Sequence, residues 1–305
     1  MAGNLVDERF ELVSLVFRLA GNPEYGVADT EYQRELNSRF DGHKRHPVVE
    51  YARQNLGFGY DAVFNMAVHL EKAGGKFALI DNTGYLFHGG ERWTRDNANT
   101  FVELLNGFYA DAGFAEFFAE HSGLYAEYGA AFDRDVLGRF NFNWFEAHGL
   151  NPDNMRIVLS PSTGKNNYAA QVYGASPRDS VVYAALPCLK KYPEGYACLP
   201  AHEFAHSFAN PAAQALYEEN EEFRKWCDDS VNLGLLPWYP MGLSMAGEYL
   251  ANAYESLYMA ENLGANVEEE LETHRRMGFT YIADVYALIT KGAQGGGHSG
   301  HAPKL

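Results

Sequence analysis

The sequence predicts an α+β fold that is mostly helical. Three observations carry this reading. Apolar residues recur at helical spacing over most of the 305 residues. Strand-like runs cluster in one stretch, 156–186, and are followed by a long run of helices, which is the α+β order. The composition, 47% apolar and 21% charged, allows a large buried core without covalent staples.

In chain order, Leu12, Val13, Leu15, Val16 and Leu19 form the apolar face of a first helix behind an acidic turn. Pro47 opens a second at Val48, Val49, Tyr51 and Ala52, and Ala62 to Leu70 continues the period. Lys76–Ile80 and Tyr85–Phe87 read as two strands around Asp81-Asn82-Thr83-Gly84. Helices follow at Thr100–Tyr109 and Phe114–Phe132. Arg156–Ser160, Tyr168–Tyr173 and Val181–Leu186 read as strands, with turn residues between them. Helices then return at about 195–209, 211–229, 241–263 and 267–290. The change of texture at Gly149-Leu150-Asn151-Pro152 divides a mainly helical region, 1–150, from a second region, 151–291. The Gly-rich segment 292–305 reads as a flexible tail, and its His298 and His301 as a loose metal-capturing pair at most.

The formal charge is −16, which disfavours nucleic acid and anionic lipid as partners. No apolar run is long enough to span a bilayer. The start lacks a basic and an apolar signal region, so no signal peptide is expected. A cytoplasmic chain and a mature exported one both fit that start. The three cysteines, Cys188, Cys198 and Cys227, have no C-x-x-C spacing and read as buried or free thiols. There is no Walker loop, G-x-S-x-G or Rossmann fingerprint.

The chemistry is concentrated in His202-Glu203-Phe204-Ala205-His206, an H-E-x-x-H pattern. On a helix, positions i and i+4 share a face, so both imidazoles reach one ion. Glu203 flanks that ion, placed to take a proton from a water in an open fourth position. The expected third ligand is Glu248, 42 residues after His206 on a later helix. Two His and one Glu make the open, catalytic arrangement for one Zn²⁺ per chain. Asn252, one turn after Glu248, is expected to accept the free N–H of a ligand histidine. Glu255, on the same face two turns on, is the runner-up ligand.

His202-Glu203-Phe204-Ala205-His206 followed by Glu248 resembles the gluzincin metallopeptidases, the thermolysin-like and aminopeptidase-like clan. Val6-Asp7-Glu8-Arg9-Phe10-Glu11-Leu12, His46-Pro47, Tyr60-Asp61-Ala62 and Ala67-Val68-His69-Leu70 resemble an uncharacterised bacterial family of gluzincin-like proteins, a domain-of-unknown-function family. The first resemblance rests on about 60 residues, the second on most of 5–290. Together they imply a gluzincin-like catalytic lobe: a small mixed sheet, an active-site helix and a helical C-terminal part, with a helical region before it. The sequence departs from the clan at Gly247, where many members carry Asn, and at Asn252, where many carry an acidic residue. A neutral Asn252 would orient its histidine with a weaker hydrogen bond.

The clan also implies a Tyr or His donor for the oxyanion. Tyr239, nine residues before Glu248, and Tyr281, downstream of it, are the candidates, with His274 third. Asn166, Asn167 and Tyr168 mark an edge strand able to pair with an extended substrate. The remaining histidines, His69 the one to watch, read as structural, and Glu218–Glu222 and Glu268–Glu270 as solvated helix starts. Phe140, Phe142, Trp144 and Phe145 read as core or lobe interface. The expected activity is zinc-dependent hydrolysis of peptide or protein substrates. The alternative is an inactive metal-binding scaffold that serves as a peptide- or protein-binding module.

Overall fold

The computed structural model describes residues 5–87 and 92–295, with side chains to 291. The fold is α+β, 62% helical, with a small mixed sheet. It divides into two compact units: Met1–Asp135 with Arg156–Tyr192, and Val136–Met155 with Pro193–Leu305.

The first unit contains helices α1 (Glu8–Ala20), α2 (Glu31–Phe40), α3 (Pro47–Asn55) and α4 (Asp61–Val68), then strands β1 (Leu70–Ala73) and β2 (Lys76–Leu79). Helices α5 (Arg95–Asp111), α6 (Phe114–Glu120) and α7 (Ser122–Asp135) follow, and β3 (Met155–Ser160), β4 (Tyr168–Val172) and β5 (Val181–Pro187) complete it. Asp7 caps the start of α1 and Gly21, at φ 88°, closes it; Phe10 to Leu19 are buried without interruption. The three-stranded sheet has the order β3-β5-β4, with β4 antiparallel to β5. It groups with the N-terminal helices rather than with the region 193–291, which departs from a single cut near 150. The reason lies in its contacts. Val6 bridges Leu159, Phe10 packs on Tyr168, and Phe64 on Tyr183. Buried Glu11 on α1 accepts from Tyr32 Oη at 2.9 Å and from Ser160 Oγ and Ser162 Oγ at 2.5 and 3.1 Å.

The hairpin of this unit is also displaced from expectation. It runs through 70–73 and 76–79, and 85–87 is a turn rather than a strand. Gly74 and Gly75, at φ 58° and 79°, supply the two positive-φ residues that a tight hairpin needs. The expected helix 114–132 is two helices, α6 and α7, with His121 between them.

The second unit is built on two helices of 22 residues, α8 (Cys198–Glu219) and α10 (Gly242–Leu263). Around them lie α9 (Glu221–Leu233), α11 (Val267–Met277) and α12 (Ile282–Gly295). The helix breaks differ from expectation at two places. Helix α8 passes through Pro211 and ends at Asn220, whose side chain caps α9. The last helical stretch splits at Gly278, whose φ of 115° a side chain would strain. Helix α12 reaches Gly295, into the segment read as tail; 296–305, with His298 and His301, lie outside the described residues.

Small residues govern how α8 meets α10. Ala205, Ala209 and Ala213, one turn apart, share a core cluster with Ala246, Leu250 and Ala253. Short side chains let two backbones approach closely, which brings the polar residues beside the seam within reach of one another. Behind α8, Phe140 and Phe145 pack on Phe204 and Tyr258, so this part of the aromatic cluster is core. His148 stacks on Phe208, and burial lowers its pKa to about 4, so it is a neutral packing residue. No helix among the described residues is long and apolar enough to cross a membrane.

Candidate metal centre

His202 and His206 project from consecutive turns of α8 toward Glu248 on α10. Their Nε2 atoms lie 3.1 Å apart. His202 Nε2 is 3.6 Å from Glu248 Oε2, and His206 Nε2 is 3.6 Å from Glu248 Oε1. Donors bound at ~2.0–2.1 Å to one tetrahedral ion stand about 3.3–3.4 Å apart. The Nε2–Nε2 distance is a little under that edge and each Glu248 distance a little over it, with one carboxylate oxygen facing each ring.

The far side of each ring supports the same fit. His202 Nδ1 lies 3.1 Å from Glu255 Oε2, and His206 Nδ1 lies 3.1 Å from Asn210 Oδ1. Each oxygen accepts an Nδ1–H, so in the neutral tautomer each Nε2 carries a lone pair. Two lone pairs 3.1 Å apart repel each other, so this pair needs either a proton or a metal cation between the rings. His202 is buried, which opposes its charged form, yet the Glu248 and Glu255 carboxylates outweigh that and raise its pKa well above the ordinary value. Glu248 is also buried, but nearby His206 and His202 and a hydrogen bond from Tyr239 hold its pKa below the usual carboxylate range. Both shifts describe a pocket whose potential favours positive charge.

Glu203, buried beside His202, has a carboxylate oxygen in the same cluster: ligand atoms of His202, Glu203 and His206 all lie within 4.8 Å of one another. A second group, Glu255, Glu270 and His274, meets the same limit. The described residues therefore contain two His/Glu groups able to hold a metal ion.

The part expected of Asn252 is filled by other residues. Its side chain is buried, its Nδ2 has no partner, and the histidine N–H groups go to Glu255 and Asn210. Glu255, the runner-up ligand, is thus the carboxylate that orients His202. Of the oxyanion candidates, Tyr239 meets Glu248. Tyr281 is committed elsewhere: its hydroxyl donates to Asp229 Oδ2 at 3.3 Å and its ring stacks on Trp226. His274 is buried beyond Glu255, its Nε2 3.6 Å from Glu255 Oε1. Tyr168 lies on edge strand β4 of the first unit, its hydroxyl donating to Glu24 at 2.6 Å. His69 is fully buried there, with Nδ1 2.7 Å from Asn65 O.

Compared with protein-family models, curated proteins and solved structures, the chain shows no match.

Sequence reasoning missed Asn210, and it marked Gly247 only as a departure from the clan. A Cβ at Gly247 would stand 2.8 Å from Asn210 Oδ1. That oxygen is the end of a mobile side chain, so it would swing aside and release His206 Nδ1. Gly247→Ala is therefore expected to weaken metal affinity about 10-fold without touching a ligand or lowering thermal stability in the metal-free protein. Competition with a zinc-sensitive chelating dye measures it.

Proposed function

We propose that this chain is a zinc-dependent peptidase of the gluzincin type. The observation that carries the reading is the grouping of His202 Nε2, His206 Nε2 and the Glu248 carboxylate, with an acceptor oxygen at Nδ1 of each ring that leaves Nε2 available to a metal. When bound by these three residues, zinc would polarise the scissile carbonyl and acidify the attacking water.

The remaining work falls to the chain's own side chains. Glu203 takes a proton from the water as its oxygen bonds to the carbonyl carbon. It returns that proton to the amide nitrogen as the C–N bond breaks, so the products are an acid and an amine. Glu255 and Asn210 hold the two rings in register throughout. Tyr239, at the Glu248 carboxylate, donates to the developing oxyanion. Tyr239→Phe is expected to lower kcat about 100-fold with KM and bound zinc nearly unchanged. If zinc affinity falls instead, and kcat at saturating zinc does not, Tyr239 only orients Glu248.

The test is an unbiased peptide library read by mass spectrometry, with Glu203→Gln as the control. Cleavage by the wild type and not by the variant supports the peptidase. Bound zinc with no cleavage by either rejects it and leaves the non-catalytic binding module.

A further inference from the structure

We infer that Glu255, Glu270 and His274 form a second divalent-cation site, which shares Glu255 with the first centre. Glu270 and His274 are four residues apart on α11, so they present one face, and Glu255 comes from α10. One ligand atom from each lies within 4.8 Å of the others. Such a Glu-x-x-x-His pair completed by a carboxylate from a second helix is a donor set for a transition-metal ion.

The buried imidazole is the independent observation. His274 is 4% exposed, and neither its Nδ1 nor its Nε2 has a hydrogen-bond partner. Its Nε2 faces Glu255 Oε1 at 3.6 Å, too far for a hydrogen bond and close to the edge of a tetrahedral site. Buried imidazoles rarely stay unpaired, and a metal ligand is one of the few roles that leaves a ring nitrogen without a proton partner. A neutral imidazole carries one N–H and one lone pair, so one ring nitrogen of His274 can serve as a ligand. One imidazole nitrogen and two carboxylates are a donor set that suits zinc.

Glu255 then has two tasks. Its Oε2 accepts from His202 Nδ1 while Oε1 faces His274. The inference does not require peptide cleavage, because it concerns metal held by residues outside the first triangle.

The experiment is equilibrium dialysis of the full chain against zinc, with metal per chain read by plasma mass spectrometry and folding checked by circular dichroism. The proteins are wild type, the first-site double variant His206→Ala/Glu248→Ala, Glu270→Gln, His274→Gln, and the double variant combined with Glu270→Gln. Two ions are expected in wild type, one in the double variant, one in Glu270→Gln and none in the combination. Glu270 is only partly buried, so Glu270→Gln remains informative if His274→Gln fails to fold. The inference is overturned if Glu270→Gln holds as much zinc as wild type, or if wild type holds none. One ion in wild type that survives the first-site substitutions and is lost in Glu270→Gln would support the second site and reject the first.

Discussion

Glu203→Gln is expected to keep its zinc and to lose peptide cleavage by about 100- to 10,000-fold, the span of a removed general base. The substitution preserves shape and one acceptor oxygen while removing the group that takes a proton. Its consequence for metal is the more discriminating half of the result, because Glu203 and Glu248 both bring carboxylates to the two histidines. Glu248 presents one oxygen to each Nε2 at 3.6 Å from a facing helix, as a ligand must. Glu203 is the next residue after His202 on the same helix and is turned about 100° from it, which suits a flanking base better than a ligand. Retained zinc with lost turnover supports this division. Lost zinc in Glu203→Gln, with zinc kept when Glu248 is replaced, would exchange the two roles.

Much of the fold was legible because its signals are local. The strands 155–160, 168–172 and 181–187 fall within a residue or two of where alternation placed them, and α10 within one residue. The hairpin lies earlier than expected because Gly74-Gly75, with two positive φ angles, makes the tight turn and Asp81-Asn82-Thr83-Gly84 does not. The grouping of the sheet with α1 was not legible, since it depends on tertiary contacts such as Glu11 with Ser160, 149 residues apart.

The site shows the same boundary between local and tertiary information. Spacing by four places His202 and His206 together on any helix. The spacing also led to Asn252, and here it misled. Four residues bring a side chain to about 40° from Glu248 around the axis, whereas seven bring it to about 20°, some 10 Å farther along. Glu255 is therefore better aligned with Glu248, and its longer side chain reaches back to His202 Nδ1. Glu270 was hidden for another reason: an acidic run at a helix start is adequately explained by the helix dipole. Only the fold shows that its last member shares a pocket with Glu255 and His274.

Glu248→Ala carries the largest expected effect on metal. It removes a carboxylate with one oxygen facing each Nε2, so zinc affinity at this centre is expected to fall by more than the ~10- to 100-fold typical of losing an outer partner. Glu255→Gln and Gly247→Ala should fall within that smaller range, since they disturb only the orientation of His202 or His206. Asn252→Ala should leave affinity unchanged, because the ring Nδ1 atoms bond to Glu255 and Asn210 and not to its amide. The ordering can be read without any substrate. Zinc that binds only the folded chain stabilises it by about 2.7 kcal/mol at a hundredfold excess over Kd. The wild type should therefore melt several degrees higher with zinc than after chelation, with Glu270→Gln as background to remove the second group's share. In that background Glu248→Ala should melt at the same temperature with and without the metal. A full zinc-dependent rise in that double variant would place the ion outside the His202, His206 and Glu248 triangle, and the peptidase reading would fall with it.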